Sequence, residues 1–134
     1  YAGQRGIDCG AMNPKRLGFQ DLDVHFGMFD YSVHVVIGPF DNLEKYARWK
    51  HENPDIVLPP DCRGLNIRTK GRAPILWLPS KPRAPHEIAT LAHEMLHVVH
   101  SIMDWAGVPL THDSDEVYCH ALGHGVDAVL ERLK

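Results

Sequence analysis

Between Pro85 and Trp105 the apolar residues Ile88, Leu91, Ala92, Met95, Val99 and Ile102 recur every three or four positions. At about 100° per residue they form one stripe of an α-helix. His86, Thr90, His93, His97, His100 and Asp104 gather on the opposite side. A strand would scatter the same residues over both faces, because its side chains alternate. The chain must therefore build a long helix here and supply an apolar surface to cover the stripe. Pro85 suits the first turn of that helix, and Gly107 suits its end.

The surface comes from the residues upstream. Val24, Phe26 and Met28 alternate with His25 and Gly27, and Val33, Val35 and Ile37 alternate with His34 and Val36. Two short strands are predicted, with Phe29-Asp30 at the turn. Asp41 or Asn42 is expected to open a helix that Asn53-Pro54 stops. Leu65 to Arg68 and Ile75 to Leu78 read as a second hairpin around Lys70-Gly71-Arg72. A last helix is expected from about Asp113, with Tyr118, Leu122, Val126, Val129 and Leu133 as its buried stripe. The order β-β-α-β-β-α-α implies an α+β domain over residues 21–134: a small, mostly antiparallel sheet with two C-terminal helices packed on it. Residues 1–20 show little periodicity and are expected to form an arm or a tag remnant.

At 134 residues there is room for one domain and one core. A formal charge of -3 argues against a dedicated nucleic-acid binder. No apolar run approaches the roughly 20 residues of a membrane span, and the N-terminus lacks the layout of a signal peptide. The expected location is the cytoplasm. Cys9, Cys62 and Cys119 are scattered, without a C-x-x-C pair, and read as reduced thiols, with a Cys9–Cys62 bridge left open. Histidine is the unusual residue, since seven of the ten lie between His86 and His124.

His93-Glu94-Met95-Leu96-His97 is an H-E-x-x-H pattern set within the long helix. Residues four apart stand one turn above each other, so both imidazoles can reach one metal ion. Glu94 falls beside them, placed to touch a water on that metal and act as general base. A catalytic zinc commonly has three protein ligands and a water, so a third donor is required. In the pattern H-E-x-x-H-x-x-G-x-x-H the later positions would be His100 and Met103, which do not fit.

Asp115-Glu116 opens the last helix beyond a turn. In this arrangement the chain resembles gluzincin-type zinc metallopeptidases over roughly His86 to His124. The resemblance implies zinc held by His93, His97 and Glu116, with Glu94 as the base. Asp115 is a rival for the third position, and Asp113 to Glu116 also reads as a capping box. Gluzincins often place an acidic residue one turn after the ligand glutamate, where this chain has His120. His120, Tyr118 and His112 are candidates for orienting a ligand or stabilising an oxyanion. The expected substrate is a peptide or protein, pairing with Ile75-Leu76-Trp77-Leu78 as the sheet edge beside the helix.

The chain is also similar in layout to small H-E-x-x-H proteins of tailed phages and prophages. Ile75 to Leu78, Gly107-Val108-Pro109-Leu110 and Asp115-Glu116-Val117-Tyr118 carry that likeness. It implies an alternative: a non-catalytic structural or interaction module, placed in a phage particle or larger assembly, with zinc tying two helices together. His100, His120 and His124 otherwise read as a solvated face. Arg63, Arg68, Lys70, Arg72, Lys81 and Arg83 read as a solvated basic cluster around a hairpin.

Overall fold

Leu22, Val24 and Phe26 alternate with polar residues along one strand, and Val33, Val35 and Ile37 alternate along the next. When the two strands pair, all six side chains reach one face. The computed structural model, which describes residues 12–134, builds its sheet from this hairpin. Strand β1 (Gln20–Phe26) pairs antiparallel with β2 (Tyr31–Ile37), with Val24 opposite Val33. The turn between them is a 3-10 segment, Gly27–Phe29, closed by Asp30 at φ 49.

Beyond β2 the chain forms α1 (Leu43–Lys50), β3 (Leu65–Ile67), β4 (Ile75–Leu78), α2 (Pro85–Ala106) and α3 (Asp115–Arg132). The sheet order is β1-β2-β4-β3, mixed in direction. β3 and β4 are antiparallel, whereas β4 lies parallel to β2. A parallel pair needs a long crossover, and residues 38–74 supply it through α1 and β3. The domain is α+β.

The sheet is covered on both faces. Leu76 and Leu78 share one core with Val24, Val33 and Val35, closed by Leu91, Met95, Val99 and Ile102 of α2 and by Tyr118, Ala121 and Val129 of α3. Ile75 and Trp77 face the other way, into a second core with Val36, Leu43, Tyr46 and Ala47. The Trp77 indole N–H donates to the Gly38 carbonyl at 2.9 Å, so its polar edge is satisfied within that core. His34, buried on the same face, lies between Asp21 and Asp23 and stacks on Tyr46.

Two expectations are corrected. Ile75-Leu76-Trp77-Leu78 is not an edge: β2 and β3 occupy its two sides. All four side chains are buried, as a strand covered on both faces requires. The edge strand on this side is β3. The expected arm also ends sooner, because Phe19 is buried in the second core and Leu17 packs against it. The Asn42 side chain donates to the Leu17 carbonyl, fastening this segment to the start of α1. Residues 1–11 of that arm, including Cys9, lie outside the described residues. Cys62 and Cys119 are free thiols. No helix among the described residues is long and apolar enough to cross a membrane.

Candidate metal centre

Helix α2 starts where the sequence suggests. Pro85 needs no hydrogen-bond acceptor for its nitrogen, and the Glu87 carboxylate reaches back to accept from the backbone N–H of Arg83 and Ala84. Ser80 donates its hydroxyl to the same carboxylate. These bonds, the one from Ala84 foremost, hold the Glu87 carboxyl below the usual glutamate range. At the other end Gly107 takes φ 74, and the Val108 N–H bonds to the Met103 carbonyl. Leu91, Met95, Val98, Val99, Ile102 and Met103 are fully buried. Each such side chain contributes about 1.5–3 kcal/mol, so the helix cannot rotate to expose them.

That fixed rotation sets the histidines outward. His93 and His97 are exposed, with ring centroids 5.0 Å apart and planes at 76°. Glu94 lies between the polar and apolar faces and is only 8% exposed. One ring nitrogen from each histidine and one Glu94 oxygen all lie within 4.8 Å of one another. The His93 Nε2 to Glu94 Oε2 distance is 3.8 Å. Burial pushes the Glu94 carboxyl above the usual range, and His93 and His97 partly oppose that shift.

The lead-in to β3 covers Glu94. A Cβ on Gly64 would come 2.7 Å from Thr90 Cγ2 and 3.0 Å from Glu94 Cγ, so only glycine lets the backbone approach this closely. Four residues on, Arg68 donates to the Ser101 hydroxyl, and Ser101 donates to the His97 carbonyl. β3 thus runs alongside α2, flanking the His93-Glu94-His97 cluster. Asn66, opposite Leu76 in the ladder, shares its sheet face with the core beneath α2. Both polar atoms of its amide are buried without a partner among the described residues.

The sequence points to His93, Glu94 and His97 together, and the fold assembles them. Glu116 is elsewhere. It pairs with His120 at 3.2 Å, both side chains being more than 70% exposed. No ligand atom of Glu116, Asp115, His112 or His120 joins the three-residue cluster among the described residues. The reason is geometric. α3 packs on α2 through Ala121 and Gly125, with Gly125 against Met95. Glu116, nine residues before Gly125, projects from the opposite side of α3. It also lies roughly 13 Å back along the helix axis, beside the far end of α2. Nor does Glu116 close a capping box, because the N-cap is Ser114 rather than Asp113. Tyr118 is buried, its hydroxyl donating to the Val108 carbonyl and its ring 5.3 Å from that of His100. It braces the α2–α3 turn instead of facing the cluster.

Gly64 and Asn66 did not stand out beforehand. A glycine immediately before a strand is a sign of close backbone approach, and an asparagine between Leu65 and Ile67 is a polar interruption worth noticing. Neither names α2 as its neighbour. No protein-family model, curated protein or solved structure matches the chain.

Proposed function

We propose that this protein is a zinc-dependent hydrolase of peptide or similar amide bonds, with its chemistry at His93, Glu94 and His97. One observation carries the reading: two imidazoles and a shielded carboxylate converge within 4.8 Å on a single helix face. Exposed nitrogen donors beside a carboxylate suit a borderline-soft divalent cation such as zinc. His93 and His97 would supply two of the ion's ligands, and no third protein donor joins them from α3 among the described residues, so water and substrate would fill the remaining positions. When bound, zinc would polarise a carbonyl and acidify a water.

The chain's own contribution centres on Glu94. Burial raises the Glu94 carboxyl above the usual range, which makes its carboxylate a stronger base for taking a proton from water and returning it to a leaving amine. Gly64 and Thr90 fix it in place and limit its access to solvent. Strand β3, with one side free among the described residues, is the edge on which an extended peptide would pair beside α2.

Glu94→Gln tests this directly. It keeps both imidazoles and the side-chain volume, so about one zinc per chain should remain bound while hydrolysis of a peptide library drops by roughly 10²–10⁴-fold. Unchanged turnover refutes the assignment. A second reading, a non-catalytic interaction module in a larger assembly, draws on the incomplete ligand set: among the described residues no donor from α3 joins His93 and His97, so zinc would not tie the two helices together. That reading expects zinc to raise the melting temperature of both wild type and Glu94→Gln, with no peptide cut by either.

A further inference from the structure

A cavity of about 420 Å³ opens beside the first two turns of α2, with Arg63, Cys62, Leu78, Pro79, His86 and Thr90 among its walls. Its position matters. Thr90 lies one turn before Glu94, roughly 6 Å along the helix axis. Gly64, whose missing side chain lets it press on both Thr90 and Glu94, directly follows Arg63. The loop carrying Arg63 is thereby tied to the same helix as the metal cluster.

Arg63 and Glu87 carry opposite charges in this cavity's wall, but their hydrogen-bonding commitments differ. Glu87 is the only carboxylate in its wall among the described residues, and both oxygens already accept hydrogen bonds from the start of α2 and from Ser80. Nearby cations differ in their commitments: Arg72 pairs with Glu52 and Arg68 donates to Ser101. Arg63 has no hydrogen-bond or ion-pair partner among the described residues. The cavity therefore presents an apolar wall of Leu78 and Pro79, an uncommitted guanidinium and the His86 ring. A short apolar stem ending in a carboxylate matches all three.

We infer that this cavity is the specificity pocket of the cluster, and that it takes an acidic side chain of a bound peptide through Arg63. The inference rests on the peptide-bond reading of His93-Glu94-His97. An extended peptide advances about 3.3 Å per residue, so the acidic residue lies about two positions from the bond placed at Glu94. Guanidinium and carboxylate then form a charge-assisted pair at the cavity mouth.

Binding without turnover provides the test. A blocked alanine pentapeptide with a central glutamate, and its glutamine twin, are titrated into ¹⁵N-labelled protein with and without zinc. The glutamate peptide should bind about three- to tenfold more tightly, given the exposure of Arg63, and should move the amide signals of Cys62, Arg63 and Thr90. In Arg63→Gln the two peptides should bind alike. In Arg63→Glu a lysine peptide should become the preferred one. Equal binding of the glutamate and glutamine peptides, failure of both to bind at millimolar concentration, or a preference that survives Arg63→Gln would overturn the inference. Arg63 is exposed, so its variants should melt with the wild type. Charge preference without hydrolysis would keep the pocket and remove the hydrolase. Hydrolysis without preference would do the reverse.

Discussion

Gly123 and Gly125 lie two residues apart in α3, and replacing each by alanine should move stability in opposite directions. In both cases alanine is the better helix former by about 0.8–1 kcal/mol. Nothing lies within 4 Å of a Cβ placed on Gly123, so that gain should appear in full. A Cβ on Gly125 would come 2.6 Å from Met95 Sδ, 2.8 Å from Met95 Cγ and 3.1 Å from Phe26 Cζ. Carbon contacts relax at about 3.5–4.0 Å, so Met95 must move, and it is fully buried in the main core. Overpacking of that kind costs about 1–3 kcal/mol. The propensity gain is common to both variants and cancels in their difference. Gly125→Ala should therefore be less stable than Gly123→Ala by about 1–3 kcal/mol, or about 4 °C in melting temperature per kcal/mol. Urea unfolding of both variants measures this. The pair also reports the rotation of α3: Gly123 shares the face of Glu116, while Gly125 lies opposite it. A helix turned to bring Glu116 towards His97 would crowd Gly123 and free Gly125. If Gly125→Ala proves the more stable variant, the packing described here and the exclusion of Glu116 from the cluster are both refuted.

Two further outcomes follow from close contacts elsewhere. Gly64→Ala should destabilise by about 1–2 kcal/mol, since the added Cβ would come 2.7 Å from Thr90 Cγ2 and 3.0 Å from Glu94 Cγ and both must shift, and on the proposed function it should slow hydrolysis by displacing Glu94. A variant with wild-type melting temperature and wild-type turnover would show that β3 does not press on α2. His51 is buried, and its Nε2–H donates to the Ala73 carbonyl while Nδ1 accepts from the Thr69 hydroxyl. Burial, chiefly, holds its pKa below the ordinary 6.5, so between the folded and unfolded values the unfolded chain binds more protons. His51 therefore contributes stability that is complete above pH 6.5 and declines as the pH falls towards the folded value. The slope of unfolding free energy between neutral and mildly acidic pH should flatten in His51→Gln. An identical slope in both proteins would remove His51 as its source.

Local patterns were the readable part of this fold. α2 matched its predicted limits within a residue because Pro85, the apolar stripe and Gly107 all act locally. The β1–β2 hairpin was legible for the same reason. Topology was harder. Ile75 to Leu78 was read as an edge beside the helix, although four apolar residues in succession are the mark of a strand covered on both sides. The parallel pairing with β2 depends on the crossover at 38–74, which no short window contains. In α3 the large residues Leu122 and Val126 suggested the buried stripe, but they are only half-buried. The contact centres on Ala121 and Gly125, because small residues allow the closest approach of Met95 and Phe26.

The His93-Glu94-His97 cluster divides along the same line. His93 and His97 are set by helical spacing alone, and any amphipathic helix with this stripe would turn them outward. Glu94 depends on more. On the helical wheel it falls at the border of the two faces, where it would be half-exposed if nothing lay against it. Gly64, thirty residues earlier, lies close against it, and burial raises its carboxyl above the usual range. The pentapeptide therefore supplies the donors, while the lead-in to β3 helps to separate Glu94 from an ordinary surface glutamate. Asn66 belongs to that second contribution. Its amide, unpartnered among the described residues, sits on the strand beside α2 and would weigh against stability by about 1–3 kcal/mol.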